Sequence, residues 1–96
     1  MLTEKPPFNG ISIDALRDIL IEELAAILHI EKSAIDTSRP FDEYGLDSTD
    51  AVIVVGVIEE RVQAELDPEL LLQHRTIDSV IGALIAPKLA ARNAGV

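Results

Sequence analysis

The chain has 96 residues, of which 48% are hydrophobic and only 3% aromatic, and its formal net charge is −9. That length fits one small domain, and the charge makes nucleic acid a poor partner because phosphate would be repelled. No cysteine is present, so disulfides, thiolate metal sites and a cysteine nucleophile are excluded, and any thiol chemistry has to arrive on a cofactor.

Residues 1–11 read as a lead-in, with Pro6, Pro7, Asn9 and Gly10 as breakers and no apolar signal core. Ser12 is an N-cap residue type, and Asp14 falls in the first turn, where the helix dipole favours it. Ile13, Leu16, Leu20, Leu24, Ile27 and Leu28 recur at threes and fours, predicting a first helix that ends near His29. Residues 31–46 form a long connection rich in loop formers, with Ile35, Phe41 and Leu46 expected to pin it onto the core.

The segment 47–66 sets two signals against each other. Ala51 to Ile58 is rich in β-branched residues, which favours a strand. Asp47 is a capping type with Asp50 three residues on, and Ala51, Val54, Val55, Ile58, Val62 and Leu66 continue one helical stripe. The longer pattern outweighs the local one and predicts a helix. The same apolar run is too short to cross a bilayer, so a soluble, cytoplasmic protein is the default expectation, and a monomer is expected. Asp67-Pro68 opens a short helical turn through Leu70, Leu71 and Leu72. Thr76 caps a last helix through Ile77, Val80, Ile81, Leu84 and Ile85, which Pro87 kinks or ends. Residues 12–89 form the folded domain, and 90–96 a frayed tail. The fold class is all-α: three main helices, a short one, and the longest loop between the first and second.

Asp36 to Glu69 holds ten acidic residues against Arg39 and Arg61. A basic protein surface complements such a stretch, mainly by speeding encounter and selecting partners. Within it, Gly45-Leu46-Asp47-Ser48 places a serine in the first turn of a helix, after a long loop and beside an aspartate. Unpaired N–H groups and the positive dipole end at that point would stabilise an attached phosphate. Asp and Ser also cap helices everywhere, so the pair alone assigns nothing. No base stands near Ser48 in the sequence. His29 and His74 read as helix-end or surface residues, and no catalytic or metal-binding set is expected.

Phe41-Asp42-Glu43-Tyr44-Gly45-Leu46-Asp47-Ser48, followed by Asp50-Ala51-Val52, resembles the modification site of the acyl carrier protein family. The likeness covers roughly residues 12–86. It implies a four-helix bundle with a long first loop and a short third helix, and 4′-phosphopantetheine attached to Ser48 with Asp47 as the adjacent motif residue. It also implies loading from coenzyme A by a phosphopantetheinyl transferase that supplies base and magnesium. Acyl-transferring or condensing enzymes with basic docking surfaces would follow as partners. Thr49, Asp50, Ile53, Glu59 and Glu60 are the expected partner-facing residues. Asp67-Pro68-Glu69-Leu70-Leu71 and His74-Arg75-Thr76-Ile77 are similar to polyketide-type carrier domains. Thr49 stands where the family commonly has Leu, Ile53 where fatty-acid carriers often have Glu, and Arg75 where polyketide-type domains usually have Pro; these departures lean away from a housekeeping fatty-acid carrier and towards a specialised lipid or polyketide pathway.

Four other readings compete. A peptidyl or aminoacyl carrier has the same arm and different cargo. An acidic helical interaction module never receives the arm. A calcium loop over Asp42 to Asp50 lacks alternating oxygen ligands and a central glycine, and a hydrolase using Ser48 lacks a base and an oxyanion hole.

Overall fold

The structure is a computed structural model that describes residues 8–85. Four helices account for most of it: α1 (Ile13–Leu28), α2 (Ser48–Val62), α3 (Leu70–Gln73) and α4 (Ile77–Ile85). Two 3-10 turns, Lys32–Ala34 and Phe41–Tyr44, break up the connection between α1 and α2. α1 packs against α2 and α4, and α2 packs against α3. The fold class and the helix order are those expected from the sequence.

Each main helix starts where its capping residue stands. The Ser12 hydroxyl accepts the Ala15 N–H at 3.1 Å, the Asp47 carboxylate accepts the Asp50 N–H at 2.8 Å, and the Thr76 hydroxyl accepts the Ser79 N–H at 3.0 Å. Each satisfies one donor that the first turn leaves without a helical partner. α1 closes at His29, which takes the left-handed conformation with φ 59°.

The core is wholly apolar: every buried side chain among the described residues is hydrophobic. Leu16, Leu20 and Leu24 of α1 meet Ala51, Val54, Val55, Ile58 and Val62 of α2, Leu70 and Leu71 of α3, and Ile77, Val80 and Ile81 of α4. The β-branched run is helical because that turn places its buried members on one face of α2. The sequence stripe names the same residues. Phe41 and Leu46 are buried and Ile35 is packed against the cluster, so the long connection is pinned as expected. Two backbone bonds tie it to the far side of the bundle: Phe41 N–H donates to Arg75 C=O at 2.7 Å, and Asp78 N–H donates to Thr37 C=O at 3.0 Å.

The structure differs from the sequence reading at two linked places. α2 stops at Val62, not near Leu66, because Gln63 turns left-handed at φ 58°. The Asn9 side-chain amide donates to the carbonyls of Val62 and Gln63, and the Glu59 carboxylate accepts the Leu66 N–H at 2.7 Å. These contacts satisfy backbone groups that an ending helix and its following loop leave open. The described end of the lead-in, residues 8–11, is held against the domain. Phe8 and Ile11 exchange backbone bonds at 3.3 and 2.7 Å around a tight turn, and both pack against the core. The expected break at Pro87 and the tail at 90–96 lie outside the described residues.

Candidate functional site

The approach to Ser48 is built by the second 3-10 turn. Gly45 has φ 85°, a left-handed conformation that glycine adopts at little cost. It turns the chain so that Leu46 is buried and its N–H reaches the Phe41 carbonyl at 3.4 Å. Asp47 follows as the cap, and Ser48 is the first residue of α2, exposed to solvent.

The hydrogen bonds at this helix start can be counted. The Asp50 N–H goes to the Asp47 side chain and the Ala51 N–H to the Asp47 carbonyl at 2.9 Å. The N–H groups of Ser48 and Thr49 have no acceptor among the described residues, and neither does the Ser48 hydroxyl. An exposed hydroxyl therefore stands beside two free backbone donors at the positive end of a 15-residue helix. That arrangement fits an attached phosphate. Asp47 is occupied as a cap, so its carboxylate points its acceptor atoms at the helix start.

Beside Ser48 runs an open groove of about 510 Å³, lined by Ser48, Thr49, Val52, Ile53, Pro68, Glu69 and Leu72. Its floor and walls are mainly apolar. Val52, Ile53 and Leu72 are 43%, 51% and 41% exposed, which is high for side chains of this size. Thr49 and Ile53, singled out from the sequence, line this groove. Val52, Pro68, Glu69 and Leu72 also line it and were not singled out from the sequence, although Val52 lies off the buried stripe and Leu72 is a third apolar residue in a helix that needs only Leu70 and Leu71 for its core.

The acidic residues divide by what they already hold. Asp42 pairs with Arg75 at 3.1 Å, Glu43 with Arg39 at 3.9 Å, and Glu22 and Glu23 both with Arg61 at 2.9 Å. The two carboxylates hold the Arg61 guanidinium above its ordinary pKa, Glu22 first and Glu23 second. Glu59 is half-buried and bonded to the Leu66 N–H, whereas Glu60 is exposed. Asp50 is half-buried in the first turn of α2. Thr49 and Ile53 lie with Ser48, while Glu59 and Glu60 sit about 17 Å away along the helix. Asp42, Asp47 and Asp50 do not converge, and no group of three potential metal ligands occurs among the described residues.

His74 and His29 stand apart from Ser48 in their contacts: His74 Nδ1 lies 3.3 Å from the Ser79 hydroxyl, and His29 is exposed at the end of α1. No described helix is long and apolar enough to cross a membrane.

A family model described as "phosphopantetheine attachment site" matches residues 18–84, a span that contains Ser48 and the whole groove. The chain belongs to this family. It is a carrier domain, and phosphopantetheine is the prosthetic group of the family. The carrier domain is 25% identical over 76 residues to polyketide synthase PksN of Bacillus subtilis, and 36% identical over 61 residues to one component of the phenolphthiocerol/phthiocerol polyketide synthase of Mycobacterium tuberculosis. Those matches cover 79% and 64% of this chain but only 1% and 3% of the relatives' length. Among solved structures, a free-standing peptidyl carrier protein from a secondary metabolic pathway of Acinetobacter baumannii superposes with a TM-score of 0.71 at 31% identity. That match covers 77% of this chain and 92% of the other. A carrier domain from the CurA module of Lyngbya majuscula also has a TM-score of 0.71, at 22% identity, and covers all of this chain and 94% of that one. It supports the fold alone.

Proposed function

We propose that Ser48 is the residue that bears the phosphopantetheine arm, and that the chain presents acyl intermediates on it to the enzymes of a specialised lipid or polyketide pathway. The observation that carries this reading is the free Ser48 hydroxyl, exposed at the opening of α2 within the span matched by the attachment-site family. Loading forms a phosphoester bond at Ser48 Oγ and breaks the pyrophosphate linkage of coenzyme A. The hydroxyl proton passes to a base of the transferase, and adenosine 3′,5′-bisphosphate leaves. In that step Ser48 would present the accepting oxygen, the unpaired N–H groups of Ser48 and Thr49 would be the donors available to a phosphate, and Asp47 caps the helix start. Once attached, the arm supplies a thiol that holds cargo as a thioester.

Delivery is the chain's own contribution. A tethered group meets each partner site at high effective concentration. The pathway assignment rests on relatives that are polyketide synthases by name, and on Ile53 standing where fatty-acid carriers often have Glu. Thr49, Asp50 and Ile53 near Ser48, and Glu59 and Glu60 further along α2, are the residues that meet the partners. The protein works as a cytoplasmic monomer in this reading.

A specific observation supports a second reading. The free-standing peptidyl carrier protein shares 31% identity over nearly its whole length, so an aminoacyl or peptidyl cargo fits the same scaffold. Intact-mass analysis of the protein isolated from its own host, with and without hydroxylamine treatment to release thioesters, separates the two. A released acyl chain supports the first reading, and a released amino acid supports the second.

A further inference from the structure

Phe8, Asn9, Gly10 and Ile11 form a tight hairpin turn. Phe8 and Ile11 exchange backbone bonds, and the two residues between them both have positive φ, 50° at Asn9 and 81° at Gly10. Asparagine followed by glycine is the pair that such a turn favours. It is also the pair in which a backbone nitrogen most readily attacks a side-chain amide, because glycine has no Cβ to screen its N–H. Asn9 and Gly10 are exposed, and the Gly10 N–H has no acceptor among the described residues. The Asn9 amide is meanwhile the donor that closes α2. Its Nδ2 donates to the Val62 carbonyl and, at 3.0 Å, to the Gln63 carbonyl. The reactive amide and the clamp on the helix end are therefore one group.

We propose that Asn9 is a self-modification site, and that its deamidation is a one-way release of the lead-in from the end of α2. Gly10 N loses its proton to a solvent base and bonds to Asn9 Cγ. The Cγ–Nδ2 bond breaks, and ammonia leaves with a proton from water. Water then opens the cyclic imide at either carbonyl, giving aspartate or isoaspartate. Neither product can clamp α2. The amide donor becomes a carboxylate facing two carbonyls at the negative end of a 15-residue helix. Isoaspartate also puts the side-chain methylene into the main chain, which breaks the register between Phe8 and Ile11. The clamp and the reaction exclude each other, because an amide held across the helix end is not free to turn towards Gly10. Reaction follows local opening of the turn, which costs less than global unfolding. This inference does not depend on Ser48 being the acceptor.

The test is incubation of the full chain at mildly alkaline pH, folded and in urea, followed by peptide mapping for aspartate and isoaspartate. Mapping separates Asn9 from the other asparagine, Asn93, which precedes alanine. Asn9 should convert in both samples, slower in the folded chain by on the order of ten-fold, the scale of the bonds that hold the amide. The converted chain, isolated by its added negative charge, should melt at lower temperature than the parent. Its amide exchange should quicken in the last turn of α2, and Asn9→Asp should reproduce both changes. Conversion as fast in the folded chain as in urea overturns the clamp's hold on the reaction. A folded chain intact at Asn9 after about a hundred half-lives of the unfolded reaction overturns the modification site. A converted chain with the parent's melting temperature and exchange overturns the release.

Discussion

The Arg75 guanidinium lies 3.1 Å from the Asp42 carboxylate, and the neighbouring Phe41 donates its N–H to the Arg75 carbonyl at 2.7 Å. One residue thus holds the loop ahead of Ser48 twice, once through its side chain and once through its backbone. Both charged side chains are more than half exposed, so the ion pair is weak and screened, whereas the backbone bond does not depend on residue type. Arg75→Ala should therefore cost no more than about 0.5–1 kcal/mol in urea denaturation, and the cost should shrink as salt rises. Arg75→Pro should also fold. Arg75 N–H makes no hydrogen bond among the described residues, and His74 already has the extended conformation, φ −121° and ψ 108°, that a residue before proline needs. A loss of several kcal/mol in either variant would contradict this division.

Asn9 closes α2 from 53 residues away. It is also left-handed, at φ 50°, a conformation asparagine tolerates better than alanine. Asn9→Ala removes two hydrogen bonds to helix-end carbonyls and adds backbone strain. It should destabilise the domain by about 1–2 kcal/mol. Amide exchange should quicken most in the last turn of α2, and uniform exchange changes across all four helices would argue against a local cap.

Glu59 and Glu60 should separate under charge reversal. Glu60→Lys leaves the described contacts untouched and should change stability by less than about 0.5 kcal/mol, while slowing transfer by cognate enzymes and weakening its salt dependence. Glu59→Lys loses the acceptor of the Leu66 N–H, a charge-assisted bond at 2.7 Å, and should cost about 1.5–3 kcal/mol. Stability and transfer kinetics measured on the two single variants check this. Equal stability losses would put Glu59 on the free surface after all.

Asp36 is the group through which acid should loosen the long connection. The Ser38 hydroxyl donates to its carboxylate at 2.7 Å and the Ser38 N–H at 2.9 Å. These bonds, the hydroxyl's first, hold its pKa below the ordinary 3.8, with Arg39 adding a smaller pull. A depressed folded pKa means that Asp36 contributes stability at pH above its unfolded pKa, and that this contribution is lost as pH falls through the folded one. Ser38→Ala should move the Asp36 titration, followed by carboxyl NMR shifts, up towards 3.8. No movement would assign the shift to something other than Ser38.

Much of the molecule is legible in its sequence, and the boundary between legible and hidden is physical. Ser12, Asp47 and Thr76 act on N–H groups three residues away, so their caps could be read locally. The stripe from Ala51 to Val62 defeated β-propensity because burial acts on a whole face. The end of α2 was hidden because no glycine or proline marks it. Its partners are an amide from the lead-in and a carboxylate four residues upstream of Gln63. The candidate site divides the same way. The place of Ser48 followed from the motif and its cap. The groove depends on α3 lying beside α2, and no local pattern announced that Val52 and Leu72 would line it together.

Attachment at Ser48 is tested most directly by incubating the purified chain with a phosphopantetheinyl transferase and coenzyme A and mapping the product by intact mass and peptide sequencing. One added phosphopantetheinyl group is expected, located on the peptide that contains Ser48 and absent in Ser48→Ala. A chain that gains no mass, or a Ser48→Ala chain that gains it equally, would contradict the carrier role assigned to this serine.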